Sequence, residues 1–374
     1  MKILLVTMTD KLAEKLSALN PELDYCAAVV DNVESAKEIF EQVGLSQVPL
    51  YPFRALQKLV KTLEYDYVLL VQERFYGMGI VKKLNVYGLP SNKLISFATL
   101  PTIGNWQTER HLRYYREHAQ EFEMFATGTS YTETSIDIRK FKYKTFNFGT
   151  SSQDLYYSFQ IAKSVILCGW GGHTSIRYAL IGLAPYCFHF DLSQTYIFKS
   201  RVLPYLVAFD DVHNFPVPFD IYKGLLREEW LTQKPSIEKV NLNGVKSKKV
   251  IINPQTTNKG FTNWDKKYYP KTRDEYIKIL DDYLTLCEEN NIRPIMFAAR
   301  ATERFMENFN KQMLEEFYAF IEQALKNHSN AVFVDGWKWD GITYDDFYDL
   351  GHMNFRGAAK FSTYLNDFIE QLER

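Results

Sequence analysis

Residues 55–71 read ALQKLVKTLEYDYVLLV, and the change of period inside this stretch decides the fold class. Ala55, Leu56, Leu59, Val60 and Leu63 recur at three- and four-residue steps, the spacing of one helical face. Tyr67, Val68, Leu69, Leu70 and Val71 then follow without a polar interruption. A strand that is apolar at every position is buried on both faces, as a parallel strand between two helical layers is. Runs of the same kind stand at residues 3–6, 26–30 and 94–97, with helical periods between them. Such alternation predicts an open, doubly wound α/β sheet over the first 120 residues.

A chain of 374 residues, at about 150 residues per domain, predicts two domains. A hydrophobic share of 46% and a charged share of 24% are those of a folded chain and exclude wholesale disorder. Lys+Arg 44 balance Asp+Glu 45 to a formal net charge of -1, so no positive field exists to gather nucleic acid or anionic lipid. The main basic run, Lys246, Lys248 and Lys249, is local. An aromatic share of 16% fits either large contact surfaces or a thick aromatic core. Cys26, Cys168, Cys187 and Cys287 form no C-x-x-C pair and read as small hydrophobes, not disulfides. Cys187 and His189 lack the second pair that zinc requires, so no metal is expected. The first apolar run continues Thr7-Met8-Thr9-Asp10 without a glycine, so no dinucleotide or other cofactor is expected. The apolar run at residues 3–6 is too short for a signal peptide, and no stretch approaches the ~20 apolar residues of a membrane span. The expectation is a cytoplasmic protein; its oligomeric state leaves no mark in the sequence.

A second alternating region begins near residue 121, giving domains 1–120 and 121–374. Apolar runs at residues 124–126, 145–148, 178–181, 250–252, 294–297 and 331–334 predict strands. Residues 152–163, 274–290, 307–327 and 355–372 predict helices, the last with Phe361, Leu365, Phe368, Ile369 and Leu372 on one face. From about 186 to 249 the pattern gives way to aromatics and prolines (Pro204, Pro216, Pro218, Pro235), an insertion or a cover over a site. Residues 106–122 predict a polar helix closing the first domain, with Arg110, His111, Arg113, Arg116 and His118 on a solvated face.

Ligands of parallel α/β sheets sit beyond the carboxyl ends of the strands. There the second region carries Gly128-Thr129-Ser130-Tyr131, then Asn147-Phe148-Gly149-Thr150-Ser151-Ser152-Gln153-Asp154, and, ahead of the last helix, Asp349-Leu350-Gly351-His352-Met353-Asn354. Alone, each reads as a helix cap, a turn or a chance pairing. Together they supply a hydroxyl nucleophile, a base and its partner. Ser130 is too weakly acidic to attack unaided and needs His352 within hydrogen-bond reach. The D-x-x-H spacing lets Asp349 reach the far nitrogen of His352, fixing its tautomer. Gly149, without a side chain, can bring its N–H to a developing oxyanion, and Ser151 with Asp154 reads as a capping pair for the next helix. Gly169-Trp170-Gly171-Gly172-His173 reads as a loop, and Arg300, after a strand, is a candidate for steadying an anionic group.

These blocks resemble those of the SGNH (GDSL-type) hydrolase superfamily, most nearly the branch of teichoic-acid D-alanine transfer and surface-polysaccharide acyl-modifying proteins. The resemblance covers about 122–374 and includes Ile136-Asp137, Gln153 to Tyr157, Ile181 to Leu183, Phe188 to Ser193 and Gly357-Ala358. It implies a flavodoxin-like three-layer α/β/α domain with Ser130 as nucleophile, His352 as base, Asp349 as its partner and Gly149 as an oxyanion donor. The N-terminal unit is similar to Rossmann-like modules of sugar-modifying enzymes. The implied activity is that of a bacterial serine esterase or O-acyltransferase on an acylated sugar or polysaccharide precursor. One block departs from the family: where G-x-N-D is usual, the chain reads Gly182-Leu183-Ala184-Pro185. Asn147, Tyr186 and Asn253 stay open as replacements for the missing asparagine. A catalytically weak or inactive member that binds a glycan or a partner is the alternative.

Overall fold

Both series of apolar runs assemble into parallel sheets. The structure, a computed structural model, describes residues 1–72, 77–97, 107–167, 175–193, 203–232 and 270–374. The first sheet contains β1 (Lys2–Met8), β2 (Asp24–Val30), β3 (Leu50–Pro52), β4 (Tyr67–Gln72) and β5 (Leu94–Phe97), in the order β3-β2-β1-β4-β5. The second contains β6 (Met124–Gly128), β7 (Thr145–Asn147), β8 (Tyr178–Gly182), β9 (Arg293–Ala298) and β10 (Val332–Asp335), in the order β10-β9-β8-β6-β7. Each adjacent pair is parallel.

Residues 55–71 fold as their two periods predict. Leu56, Leu59 and Val60, on the helix Leu56–Thr62, pack with Leu4, Val6, Val68 and Leu70 of the central strands. Ile3, Leu4, Leu5 and Val6 are all fully buried, as a strand covered on both faces must be. The strand not foreseen is β3, a three-residue edge strand with Tyr51 exposed and Pro52 at its end. It has no apolar run because an edge strand needs none.

The described residues fall into two compact units, Met1–Arg110 with Leu192–Ser236, and His111–Asp191 with Ile237–Arg374. This division differs from the expected domains in two ways. The first boundary falls inside the helix Gln107–His118, where Tyr115 is buried against Phe122 and Phe146 at centroid distances of 5.4 and 5.5 Å. His111, placed by the sequence on a solvated face, is instead buried edge-on to Phe146. Second, residues 203–232 interrupt the second unit in sequence and count with the first. Arg227 N–H donates to Ala18 O (3.0 Å), its guanidinium donates to Val43 O (3.0 Å), and Asn20 N–H donates to Leu225 O (3.0 Å). The strand expected at 250–252, the run at Lys246–Lys249, Cys168 and the glycine-rich stretch at 169–173 lie outside the described residues.

In the second unit Met124, Ala126, Leu180, Ile295 and Phe297 pack on Phe361, Leu365 and Ile369 of the last helix, Phe355–Leu372. From the alternate side of β6, Thr127 hydrogen-bonds Tyr283 of the helix Pro270–Glu289 at 2.9 Å. Numbered within the unit, the strand order is 2-1-3-4-5, which reverses direction between β6 and β8. The crevice of such a sheet opens beyond the carboxyl ends of those two strands. Among the described residues no helix is long and apolar enough to cross a membrane.

Candidate active site

Gly128 ends β6 at φ +142°, a conformation that side chains disfavour. A Cβ there would lie 2.2 Å from the Thr132 hydroxyl oxygen and 2.6 Å from Gly182 O. Gly182 stands opposite Gly128 in β8, and a Cβ on it would lie 1.8 Å from the same Thr132 oxygen. Two facing glycines thus admit Thr132, and the helix Ser130–Ser135 starts within two residues of the strand. Thr129 caps this helix by accepting the Tyr131 N–H at 3.3 Å. Ser130, first in the helix and half-buried, has a backbone N–H without an intrahelical acceptor.

His352 is delivered by a loop fixed at both sides. The Asn354 side chain accepts the N–H groups of Arg356 (2.9 Å) and Gly357 (3.3 Å), starting the last helix. Its amide donates to Asp345 O (2.7 Å) and Phe347 O (3.2 Å). Thr302 holds the other side, its N–H and hydroxyl both donating to Leu350 O, at 3.0 and 2.8 Å. Within the loop, Tyr348 N–H donates to His352 O at 2.7 Å.

Ser130 Oγ lies 2.8 Å from His352 Nε2. Nδ1 of the same ring lies 2.9 Å from both carboxylate oxygens of Asp349. Asp349 Oδ1 also accepts the N–H groups of Gly351 and His352, each at 2.8 Å. Burial alone would raise the Asp349 carboxyl. The hydrogen bond and charge of His352, with the two backbone N–H groups, outweigh it and hold the carboxyl below its ordinary range. Ser130, His352 and Asp349 therefore converge beyond the sheet's carboxyl edge.

A scan of protein-family models gives no match to the chain, and neither does a search of curated proteins. The site is read from its own geometry. A hydroxyl on one imidazole nitrogen and a carboxylate on the other form a proton-transfer relay that can turn the hydroxyl into a nucleophile.

The other expected site residues are engaged in holding this frame. Gly149 N–H, expected to face an oxyanion, donates to Asn147 Oδ1 at 2.8 Å. Asn147 Nδ2 donates to Thr132 O at 3.3 Å, so the amide ties the loop after β7 to the Ser130 helix. A Cβ on Gly149 would lie 2.6 Å from Glu133 N, which shows how closely the two backbones approach. Tyr186 packs edge-on to Tyr131 at 6.1 Å, near Thr129, the cap of the Ser130 helix. Asn253 lies outside the described residues.

Other residues singled out in the sequence have these contacts. The Ser151 hydroxyl donates to Glu133 Oε2 at 2.5 Å, a contact the sequence reading did not include. Asp154 caps the helix Leu155–Leu167, accepting Tyr157 N–H at 3.0 Å, with Tyr276 donating to its other oxygen at 2.9 Å. Arg300 donates to the carbonyls of Trp337 (2.8 Å) and Trp339 (2.9 Å), which engages the guanidinium within the fold. His189 is buried, with Nε2 3.0 Å from Glu316 Oε2. Sequence reasoning missed Thr132, Asn354 and Thr302 as builders of the site. Asn354, directly before a helical run, was readable as a cap; the Thr132 and Thr302 contacts carry no local sequence signal.

Proposed function

We propose that the chain is a serine-dependent esterase or O-acyltransferase of the SGNH type, acting on an acylated carbohydrate or a surface-polysaccharide precursor. The reading is carried by one observation: Ser130 Oγ at 2.8 Å from His352 Nε2, with Asp349 behind Nδ1. The strand orders support it, since 3-2-1-4-5 belongs to Rossmann-like sheets and 2-1-3-4-5 to flavodoxin-like ones. The position of Ser130 just beyond β6, at the point where the order reverses, agrees with it as well.

In this mechanism Nε2 takes the proton of Ser130 as Oγ bonds to the ester carbonyl carbon. Asp349 accepts the hydrogen bond from Nδ1–H and stabilises the imidazolium. Collapse of the tetrahedral intermediate breaks the ester C–O bond, and the proton on Nε2 passes to the departing alkoxide. Water, or a sugar hydroxyl in a transferase, then releases the acyl group by the same steps in reverse. A fluorophosphonate probe tests the assignment. Labelling is expected on Ser130 and absent in Ser130→Ala; equal labelling of both proteins removes the nucleophile.

The alternative, a weak or inactive member that binds a glycan or a partner, is favoured by a different observation. Gly149 N–H is bonded to Asn147, and no asparagine stands in the block after β8. Loss of one oxyanion donor costs ~3 kcal/mol of transition-state stabilisation. Probe labelling without turnover of p-nitrophenyl acetate is the outcome expected of that reading.

A further inference from the structure

The imidazole of His352 has a third neighbour. Tyr131, the residue after Ser130, stacks on it with centroids 5.0 Å apart and planes inclined by 28°. The phenol ring is itself held at its edges by Tyr186 (6.1 Å) and Phe305 (6.3 Å), both at 63°. Its hydroxyl end lies over the D-x-x-H loop: a Cβ on Gly351 would sit 2.9 Å from the phenol oxygen and 3.3 Å from Cε1. Residue 351 is glycine, on this geometry, because Tyr131 fills the space a side chain would take. One short helix thus supplies two grips on the base, the Ser130 hydroxyl at its edge and the Tyr131 ring on its face.

We propose that Tyr131 is a positioning residue for His352, fixing the plane of the imidazole in line with Ser130 Oγ. The proposal rests on reading Ser130 as the nucleophile. Hydrogen bonds at the two ring nitrogens fix where those atoms point and do little against a swing of the ring plane. A near-parallel aromatic face resists that swing. The polar groups facing the ring are Asp349 from its own loop and Ser130 and Tyr131 from the nucleophile helix, with Tyr186 behind Tyr131.

The test follows the His352 ring by NMR in histidine-labelled protein, its signal assigned with His352→Gln. The signal of the His352 Nδ1 proton, bonded to Asp349, is expected to broaden at least about twofold in Tyr131→Leu, as the ring plane loosens. Tyr131→Phe, which keeps the aromatic face, is expected to leave the line width in place. An unchanged line width in Tyr131→Leu overturns the proposal, as does equal broadening in Tyr131→Phe. Neither measurement needs turnover, so absent fluorophosphonate labelling with the expected line widths removes the nucleophile and leaves the stacking effect standing. A second pair covers a Leu variant that does not fold. Gly351→Ala is expected to slow labelling about tenfold by displacing the phenol, and Tyr131→Phe in that background to restore most of the rate. A further loss in the double variant overturns the proposal.

Discussion

A methyl group on Gly182 and one on Gly128 would both collide with a single atom, the Thr132 hydroxyl oxygen, at 1.8 and 2.2 Å. The turn that presents Ser130 is therefore packed from inside by a residue two positions further on. Gly182→Ala is expected to lower stability by about 1–3 kcal/mol through overpacking and to abolish probe labelling. Thr132→Ala in the same chain should recover part of the stability, because it removes the clashing oxygen. Urea denaturation of the two single variants and the double one measures the coupling; strictly additive losses contradict the shared clash. Asp349 gives a second expectation at this scale. Its folded carboxyl titrates below the ordinary value near ~3.9, so its charge is complete at neutral pH and lost only in stronger acid. Asp349→Asn keeps the shape and reverses the hydrogen bonding at Nδ1. It is expected to slow labelling by about 10³-fold or more at pH 7, and a loss under tenfold would assign the imidazole's orientation to other contacts.

Among the elements, the last helix does most to hold the site, since Asn354 begins it two residues after His352. Its far end is anchored by Glu373. That carboxylate accepts from the Tyr143 hydroxyl, from Lys142 Nζ (3.0 Å) and from the Tyr178 hydroxyl (2.9 Å). The Tyr143 bond first, then those from Lys142 and Tyr178, bring its pKa down to about 2. The folded value lies below the unfolded one near ~4.3, so the stabilisation is present above that pH and fades as pH falls towards 2. Glu373→Gln is expected to cost no more than about 1 kcal/mol at pH 7 and to flatten the decline in melting temperature between pH 5 and pH 3. An unchanged acid slope would remove Glu373 from that role. The same scale explains what was readable beforehand. Strands buried on both faces announce themselves as unbroken apolar runs, as residues 3–6 and 67–71 do. The exposed edge strand β3 answers to solvent and the second bond of Asp154 to a distant tyrosine, so local pattern shows neither.

Across the whole molecule, Ser130, Asp349 and His352 could be grouped from sequence because a parallel sheet gathers every carboxyl strand end on one side. Topology supplied a proximity that spacing along the chain conceals. The engagement of Gly149 by Asn147 and the packing of Tyr131 on Gly351 depend on distances, which no residue pattern encodes. The assignment of residues 203–232 to the first unit was hidden for a similar reason: the backbone bonds to Ala18 and Asn20 have no side-chain signal. That unit carries the final expectation. Its strand order resembles nucleotide-binding sheets, yet β1 leads into Thr9-Asp10-Lys11 with no glycine, and β2 leads into Asp31. Burial, and then the nearby charge of Asp10, raise the Asp31 carboxyl, which places two acidic groups at adjacent strand ends. A pyrophosphate there would meet negative charge where it needs close backbone N–H groups. ATP, NAD and UDP-glucose at 1 mM are therefore expected to leave the melting temperature unchanged within about 1 °C. A ligand bound a hundredfold above its Kd adds ~2.7 kcal/mol, which is several degrees of stabilisation and easily detected. Such a rise with any of the three would overturn this expectation and make the chain a nucleotide binder.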